Sequence, residues 1–280
     1  MKNIGTTFAA VATLVLGVCA ASAPAHAGKG GSADRIRQAI ASSSVDAIIA
    51  EVERAEALAC GECVQLVTNL TEDARYEVRE VAAWWFAKRP AMKKMLAEQF
   101  EADLVSGSSL EARNAADFLG ATITYTALPT LRAAIRRDVA PEAKLAMVRA
   151  VGRLGHTDGN AVLTAAMADA DASVRASSVR VWRDLRDQTE TAPVVALLAD
   201  RDAAVRAEAA TVAGAMNALA GRAALETIAT SDPSPTARRN AAWALGKLGQ
   251  AASRAALTTA TNDASGLVRM TARAALSQLR

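Results

Sequence analysis

The chain repeats itself with a period near 31 residues, and this constrains the fold more than any other feature, because self-similarity at that spacing marks stacked repeat architectures. Aligned on one basic residue per unit, Arg79, Arg113, Lys144, Arg175, Arg206, Arg238 and Arg269 follow one another at intervals of 34, 31, 31, 31, 32 and 31 residues. In six of the seven units an acid stands six residues before the basic one: Asp73, Asp138, Asp169, Asp200, Asp232 and Asp263. The second unit departs, with Gly107 in that place.

Each unit reads as two short helices. The first carries aliphatics at helical spacing, such as Leu128, Leu131 and Ile135, or Val194, Leu197 and Leu198, or Leu225 and Ile228. The second begins around the basic residue, and its apolar positions fall on one side of a helical wheel; in the last unit these are Val268, Ala272, Ala275, Leu276 and Leu279. Turns such as Asp232-Pro233-Ser234-Pro235 and Asp138-Val139-Ala140-Pro141 stop one helix and start the next. No strand pattern competes. A two-helix unit of this size cannot bury its apolar stripe alone, so the prediction is an all-α chain whose units stack into an elongated superhelix. Low aromatic content (4%) and abundant alanine favour closely packed helices over one bulky core. Residues 33–60 lack the repeat but hold two helical patterns, at Ile36 to Ile40 and Val45 to Leu58, so 28–60 is predicted to cap a solenoid of about seven repeats over 61–280.

The pattern Asp-x5-Arg followed by Ala-Ala-x-Ala-Leu-Gly-x-Leu-Gly, as it stands from Asp232 through Arg238 to Ala241–Gly249, resembles the short bacterial HEAT-like repeats, also called phycobilisome-lyase-type repeats, of the armadillo-like superfamily. The likeness covers about residues 61 to 280. It implies a right-handed α-α superhelix and, as function, a scaffold or adaptor that binds a protein partner. Some relatives are iron hydroxylases built on repeated His-Glu pairs, and this sequence has no His-Glu dipeptide; others handle bilin pigments, and no further pigment motif is present. The expectation is therefore a protein without catalytic residues, cofactor or metal.

The first residues predict an export signal. Lys2 gives a positive start, Phe8 to Ala21 is almost uncharged and apolar, and Ala25-His26-Ala27 offers small residues for cleavage, so the mature chain begins near Gly28, in a periplasm for preference. The apolar run is short for a membrane span and no second one follows. Cys19, after Leu16-Gly17-Val18, leaves a lipoprotein anchor as the alternative, although Val18 is bulky for that motif. Removing residues 1–27 takes one lysine and no acid from totals of 32 basic and 29 acidic residues. With the two signs interspersed, nothing resembles the concentrated basic face that nucleic acid requires.

Two cysteines remain after cleavage, Cys60 and Cys63, where the cap meets the first repeat. In an exported protein two cysteines three apart are predicted to form a structural disulfide. A redox function is the alternative, although redox Cys-x-x-Cys pairs sit beside a βαβ pattern absent here. Val64, not histidine, follows the pair, which excludes haem attachment, and two thiolates are half of a closed zinc site. His156, in the turn Gly155–Gly159, has no second histidine to partner it and reads as a solvated loop residue. The Asp-x5-Arg ladder reads as architecture: each Asp can cap the second helix, and each basic residue can pair with an acid of its own or the adjacent repeat.

The outward side of the second helices is where packing dictates least. Five positions after each basic residue the row reads Trp84, Phe118, Arg149, Arg180, Thr211, Trp243 and Ala274, a position that lines the concave surface of stacked solenoids. Trp, Phe and Arg are the types that anchor protein partners, so Trp84, Phe118, Arg149, Arg180 and Trp243 are the candidate contacts. The tryptophans can equally fill space against neighbouring helices. Trp182 and Trp85 read as core. The open C-terminal end offers a route to a homodimer.

Overall fold

A computed structural model describes residues 31–58 and 60–279. The predicted signal at 1–27, its Ala25-His26-Ala27 site and Cys19 lie outside the described residues. Among those described there are sixteen α-helices and no strand; one isolated bridge joins His156 to Arg186. The chain divides into two compact units, Met1–Ala134 and Ile135–Arg280.

In the first unit, α1 (Ala33–Ser42) and α2 (Val45–Arg54) form a hairpin whose starts are capped by Ser32 and Ser44, which accept from Arg35 N–H and Ala47 N–H. Ser43, with φ of +58°, turns the chain between them. Helices α3 (Gly61–Leu70) and α4 (Tyr76–Ala87) make one pair, and α5 (Pro90–Ser106) and α6 (Ser109–Ala121) the next. A capping box opens α6: Ser108 accepts from Glu111 N–H and the Glu111 carboxylate accepts from Ser108 N–H. Helix α1 packs on α3, α2 on α4 and α4 on α6. The hairpin is sealed to α4 by fully buried Ile48, Val52 and Trp85, whose indole Nε1 donates to Ala55 O at 3.0 Å. Helix α7 (Leu128–Ala134) closes the unit.

The second unit alternates short first helices with long second ones. The second helices are α8 (Pro141–Leu154), α10 (Ala172–Asp184), α12 (Ala203–Ala215), α14 (Pro235–Leu248) and α16 (Gly266–Leu276). They pack side by side in chain order as one layer. Helices α9 (Asn160–Ala166), α11 (Ala192–Ala196), α13 (Arg222–Ser231) and α15 (Arg254–Ala260) form the other. The predicted wheel holds in the interior: Val174, Val205 and Val268 are fully buried, as are Leu245 and Ala272. Close approach needs small residues. A Cβ on Gly214 would lie 2.7 Å from Ala244 Cα, and one on Gly246 2.9 Å from Ala275 Cα, so the backbones of α12, α14 and α16 meet where only glycine fits. Helices α8 and α14 end on Gly155 and Gly249 in the left-handed region (φ +67° and +66°), with the terminal N–H turned back to Val151 O and Leu245 O.

Candidate functional site

The basic ladder is a set of repeated clamps in the second unit. In Arg175, Arg206 and Arg238, Nη1 donates to two carbonyls of its own repeat's turn: Asp169 and Ala170, Asp200 and Arg201, Asp232 and Pro233, at 2.7–3.2 Å. The remaining fork, Nε and Nη2, grips the carboxylate of the next repeat: Asp200, Asp232 and Asp263 at 2.6–2.9 Å. Lys144 reaches Asp169 at 2.6 Å with its single ammonium. One side chain thus fastens its own turn and staples the following repeat.

The ladder aspartates do not cap the second helices, a correction to the expectation. They accept from the backbone N–H two residues on, Asp171, Asp202, Ser234 and Ser265, holding the turn. The caps are the residues thus positioned: Asp171 accepts from Ser173 and Val174 N–H, Asp202 from Ala204 and Val205 N–H, and Ser234 from Ala237 N–H. Hydrogen bonds from the arginine forks are the chief cause that holds the Asp200, Asp232 and Asp263 carboxyls below their ordinary range.

The first unit solves the same problem differently. With Gly107 where the acid belongs, Arg79 still donates to Asp73 O and Ala74 O, but its fork takes Asp117 of α6 at 2.6 and 3.1 Å. Both side chains are almost wholly buried, 4% and 2% exposed. Sequence reasoning missed Asp117, and its signal was a single acid inside the apolar run Ala115–Gly120.

The candidate contacts do not all reach the surface. Phe118 is 2% exposed, which corrects its assignment to the outward row. The seventeen-residue α5 brings Phe100 to 4.7 Å from it between ring centroids, and Phe86 lies 6.1 Å away, so this position is core in the second repeat. Trp84, in the first unit, is half-buried with Lys88 Nζ 5.4 Å from its ring. The other three stand in the second unit: Arg149 half-buried on α8, Arg180 exposed on α10 and Trp243 half-buried on α14.

Across α10, α12 and α14 these positions are continuous. Arg180 Nε and Nη2 donate to both Glu208 oxygens at 3.0 and 3.1 Å, with the arginine side chain 58% exposed. Thr211, half-buried, follows Glu208 on α12. The Trp243 ring lies over Gly214 of α12, and Lys247 Nζ stands 5.5 Å from it. Glu208 and Lys247 were not anticipated; each sits where a helical neighbour can reach the row. Trp182 and Trp85 are core as expected, at 1% and 0% exposed, and the indole of Trp182 donates to Glu190 O.

Cys60 and Cys63 come together at the start of α3, with their sulfurs in contact and Cα atoms 5.1 Å apart. Cys60 is the helix N-cap and Cys63 is fully buried. The preceding loop is fastened by Arg89, which donates to Glu56 O, Leu58 O and Trp85 O and lies flat over the Trp85 ring. Burial lowers the Arg89 pKa to about 10, which leaves it charged at neutral pH. His156 is exposed and its Nδ1 accepts from Asp158 N–H. Among the described residues no group of three or more His, Cys, Asp or Glu side chains is arranged to hold a metal.

The repeated helix pairs and their clamps point to one family. A family model described as HEAT repeats matches residues 191–277, the last three units. Residues 191–277 are HEAT repeats. Among solved structures, the YibA protein of E. coli is similar at a TM-score of 0.55 and 12% identity over 99% of this chain and 97% of that one, which supports the HEAT fold and nothing further. An engineered protein is similar at a TM-score of 0.45 and 17% identity, covering 99% of this chain and 86% of that one. Human deoxyhypusine hydroxylase in complex with glycerol is similar at 0.38 and 16% identity, covering 98% and 96%. None of the curated protein sequences matches this chain.

Proposed function

We propose that this HEAT-repeat chain is an exported protein-interaction scaffold, not an enzyme, and that it binds a protein partner on the second-helix layer of its second unit. One observation carries the reading. The interior of that layer is filled mainly by alanine, valine and leucine, with Trp182 among them, yet Arg180, Glu208, Thr211 and Trp243 form an outward strip that the ladder does not use. An indole and a guanidinium already held by neighbours lose little rotamer freedom on binding, and they are the side chains on which interface energy concentrates. Arg149 extends the strip towards α8, and Trp84 offers a separate contact in the first unit.

Export rests on the signal read at residues 1–27, and no helix among the described residues is long and apolar enough to cross a membrane. In an oxidising compartment Cys60 and Cys63 form a disulfide that fixes the start of α3 against the cap. The position of Cys60 at a helix N-terminus favours a redox function for the pair, since such a site stabilises a thiolate. The complete burial of Cys63 weighs against it, because exchange requires access to the attacked sulfur. A thiol count on the native protein decides: a pair that resists mild reductant removes the redox reading, and a readily reduced one restores it.

The test of the scaffold reading is affinity capture from a cell-envelope extract with the wild type and with Arg180→Ala/Trp243→Ala. Loss of a defined protein by a variant that keeps the wild-type circular dichroism supports the strip. Retention of the same proteins overturns it.

A further inference from the structure

The outward strip changes character as it passes from α10 and α12 to α14 and α16. On a wheel of about 100° per residue, the positions two before and one, five and nine after each ladder residue fall within one arc of about 80°. On α14 that arc carries Thr236, Arg239, Trp243 and Lys247, and on α16 it carries Leu267, Met270 and Ala274. The two helices meet at Gly246 and Ala275, so the arcs lie side by side. Leu267 and Met270 are 60% and 66% exposed. Exposure here belongs to the face itself: Glu142, Ser173, Ala204 and Thr236 hold the place of Leu267 in the preceding repeats, and all are exposed with another second helix packed beyond them. Arg239, which holds the place of Met270 on α14, is likewise exposed with α16 beside it. What sets α16 apart is residue type, two large apolar side chains on a face that α14 fills with polar ones around Trp243.

The electrostatics change along with it. Between α10 and α12 the Arg180 guanidinium is gripped by Glu208, which cancels its charge. Helices α14 and α16 contain no Asp or Glu. Arg239 instead donates from Nε and Nη2 to Asn240 Oδ1 at 3.1 and 2.9 Å, and Asn240 is itself anchored, its Nδ2 donating to Ala207 O at 3.0 Å. An amide oxygen fixes the guanidinium and leaves its charge whole. Lys247, exposed, has its Nζ 5.5 Å from the Trp243 ring, a contact that also leaves the charge in place. Arg239, Trp243 and Lys247 follow one another at four-residue intervals, so they share one side of α14. The outcome is an indole between two cations that form no ion pair among the described residues, beside an exposed leucine and methionine. Apolar area rimmed by charge of a single sign is complementary to an apolar segment of the opposite charge.

We infer that the α14–α16 part of the strip fixes the chemistry of the partner: it takes an acidic protein segment with apolar anchors, carboxylates on Arg239 and Lys247 and apolar side chains on Trp243, Met270 and Leu267. Arg239 supplies a pre-positioned donor for a carboxylate, Lys247 adds steering charge, and the indole, thioether and isobutyl groups supply the desolvated area on which affinity depends. This rests on the strip being the docking surface and adds what docks there.

The probe is a phage-displayed library of random peptides of about twelve residues, selected on the full chain at low salt and then depleted on Trp243→Ala. The inference expects the surviving peptides to carry an excess of Asp and Glu over Lys and Arg, together with Leu, Phe or Trp. A fluorescein-labelled peptide of their consensus should bind the wild type saturably by anisotropy and lose affinity as salt is raised. It should bind about tenfold more weakly to Arg239→Gln/Lys247→Gln and about threefold or more weakly to Leu267→Ser/Met270→Ser. These four side chains are exposed, so both variants should keep the wild-type circular dichroism. Survivors that are neutral or basic, or a consensus peptide that either variant binds as the wild type does, overturn the inference and leave the strip a docking surface of another chemistry. A selection that yields no peptide dependent on Trp243 overturns the inference and the strip together. Self-association of the wild type that Arg239→Gln/Lys247→Gln abolishes overturns the inference too, by making a second copy the occupant.

Discussion

The two units meet the same demand, holding one helix pair against the next, with different materials. The second unit uses a ladder of part-buried clamps between neighbours 25 or 26 residues apart and fills the remaining space with small side chains. The first unit has one deeply buried pair, Arg79–Asp117, and an aromatic cluster of Trp85, Phe86, Phe100 and Phe118. Regular packing leaves a predictable outward row; the aromatic cluster swallows it at Phe118. The family match falls inside the second unit for the same reason, since a repeat signature is strongest where each unit makes the same contacts.

The largest effect separating the two designs is the loss of one clamp. Arg206→Ala strands Asp232, whose side chain is 4% exposed, and frees two turn carbonyls; it should cost about 3–5 kcal/mol in denaturant unfolding. The same change at Arg269 removes only the turn bonds and should cost about 1–2 kcal/mol, because no acid is stranded. Equal losses would show that the fork to the next repeat contributes nothing. Arg79→Ala should cost as much as Arg206→Ala, but hydrogen exchange should place the damage in residues 31–134.

Next in size is Gly214→Ala. A new Cβ within 2.7 Å of the Ala244 backbone forces α12 and α14 apart, at about 1–3 kcal/mol by thermal unfolding. A neutral result would mean that the helices of the second unit are not in the close contact described.

Acid should then distinguish the units. Asp200, Asp232 and Asp263 have depressed folded pKa values, so the stability they lend is present above the ordinary aspartate range and is lost as pH falls through their folded values. In the first unit burial raises Glu72 and Asp103, whose penalty is relieved on protonation, against one lowered acid, Asp73. Lowering pH below about 4 should therefore raise exchange in the second unit before the first. The reverse order would break the comparison. The smallest effect belongs to the exposed strip: Glu208→Ala should change stability by less than about 1 kcal/mol, since an exposed ion pair contributes little.

Most of the second unit was legible in the sequence because its contacts are periodic. The Asp-to-basic spacing picked out the residues of the ladder, with the acid of the same or of the adjacent repeat as the partner, and the apolar positions at constant offsets marked the faces that touch. Two things were hidden. Local spacing could not tell whether an aspartate caps a helix or holds the turn before it, since the two differ by two residues in the same loop. The burial of Phe118 depended on the length of α5, where Pro90 to Ser106 runs as one helix and carries Phe100 across the row. The strip itself was half legible: Arg180 and Trp243 were visible as residue types at the outward position, whereas Glu208, which holds Arg180 in place, lies at a different offset and 28 residues away.

The most direct test of this account is the capture experiment with Arg180→Ala/Trp243→Ala, read by mass spectrometry beside a circular dichroism control. If the strip is the docking surface, the variant stays folded and no longer retains a protein that the wild type holds. A folded variant with an unchanged set of bound proteins would contradict it.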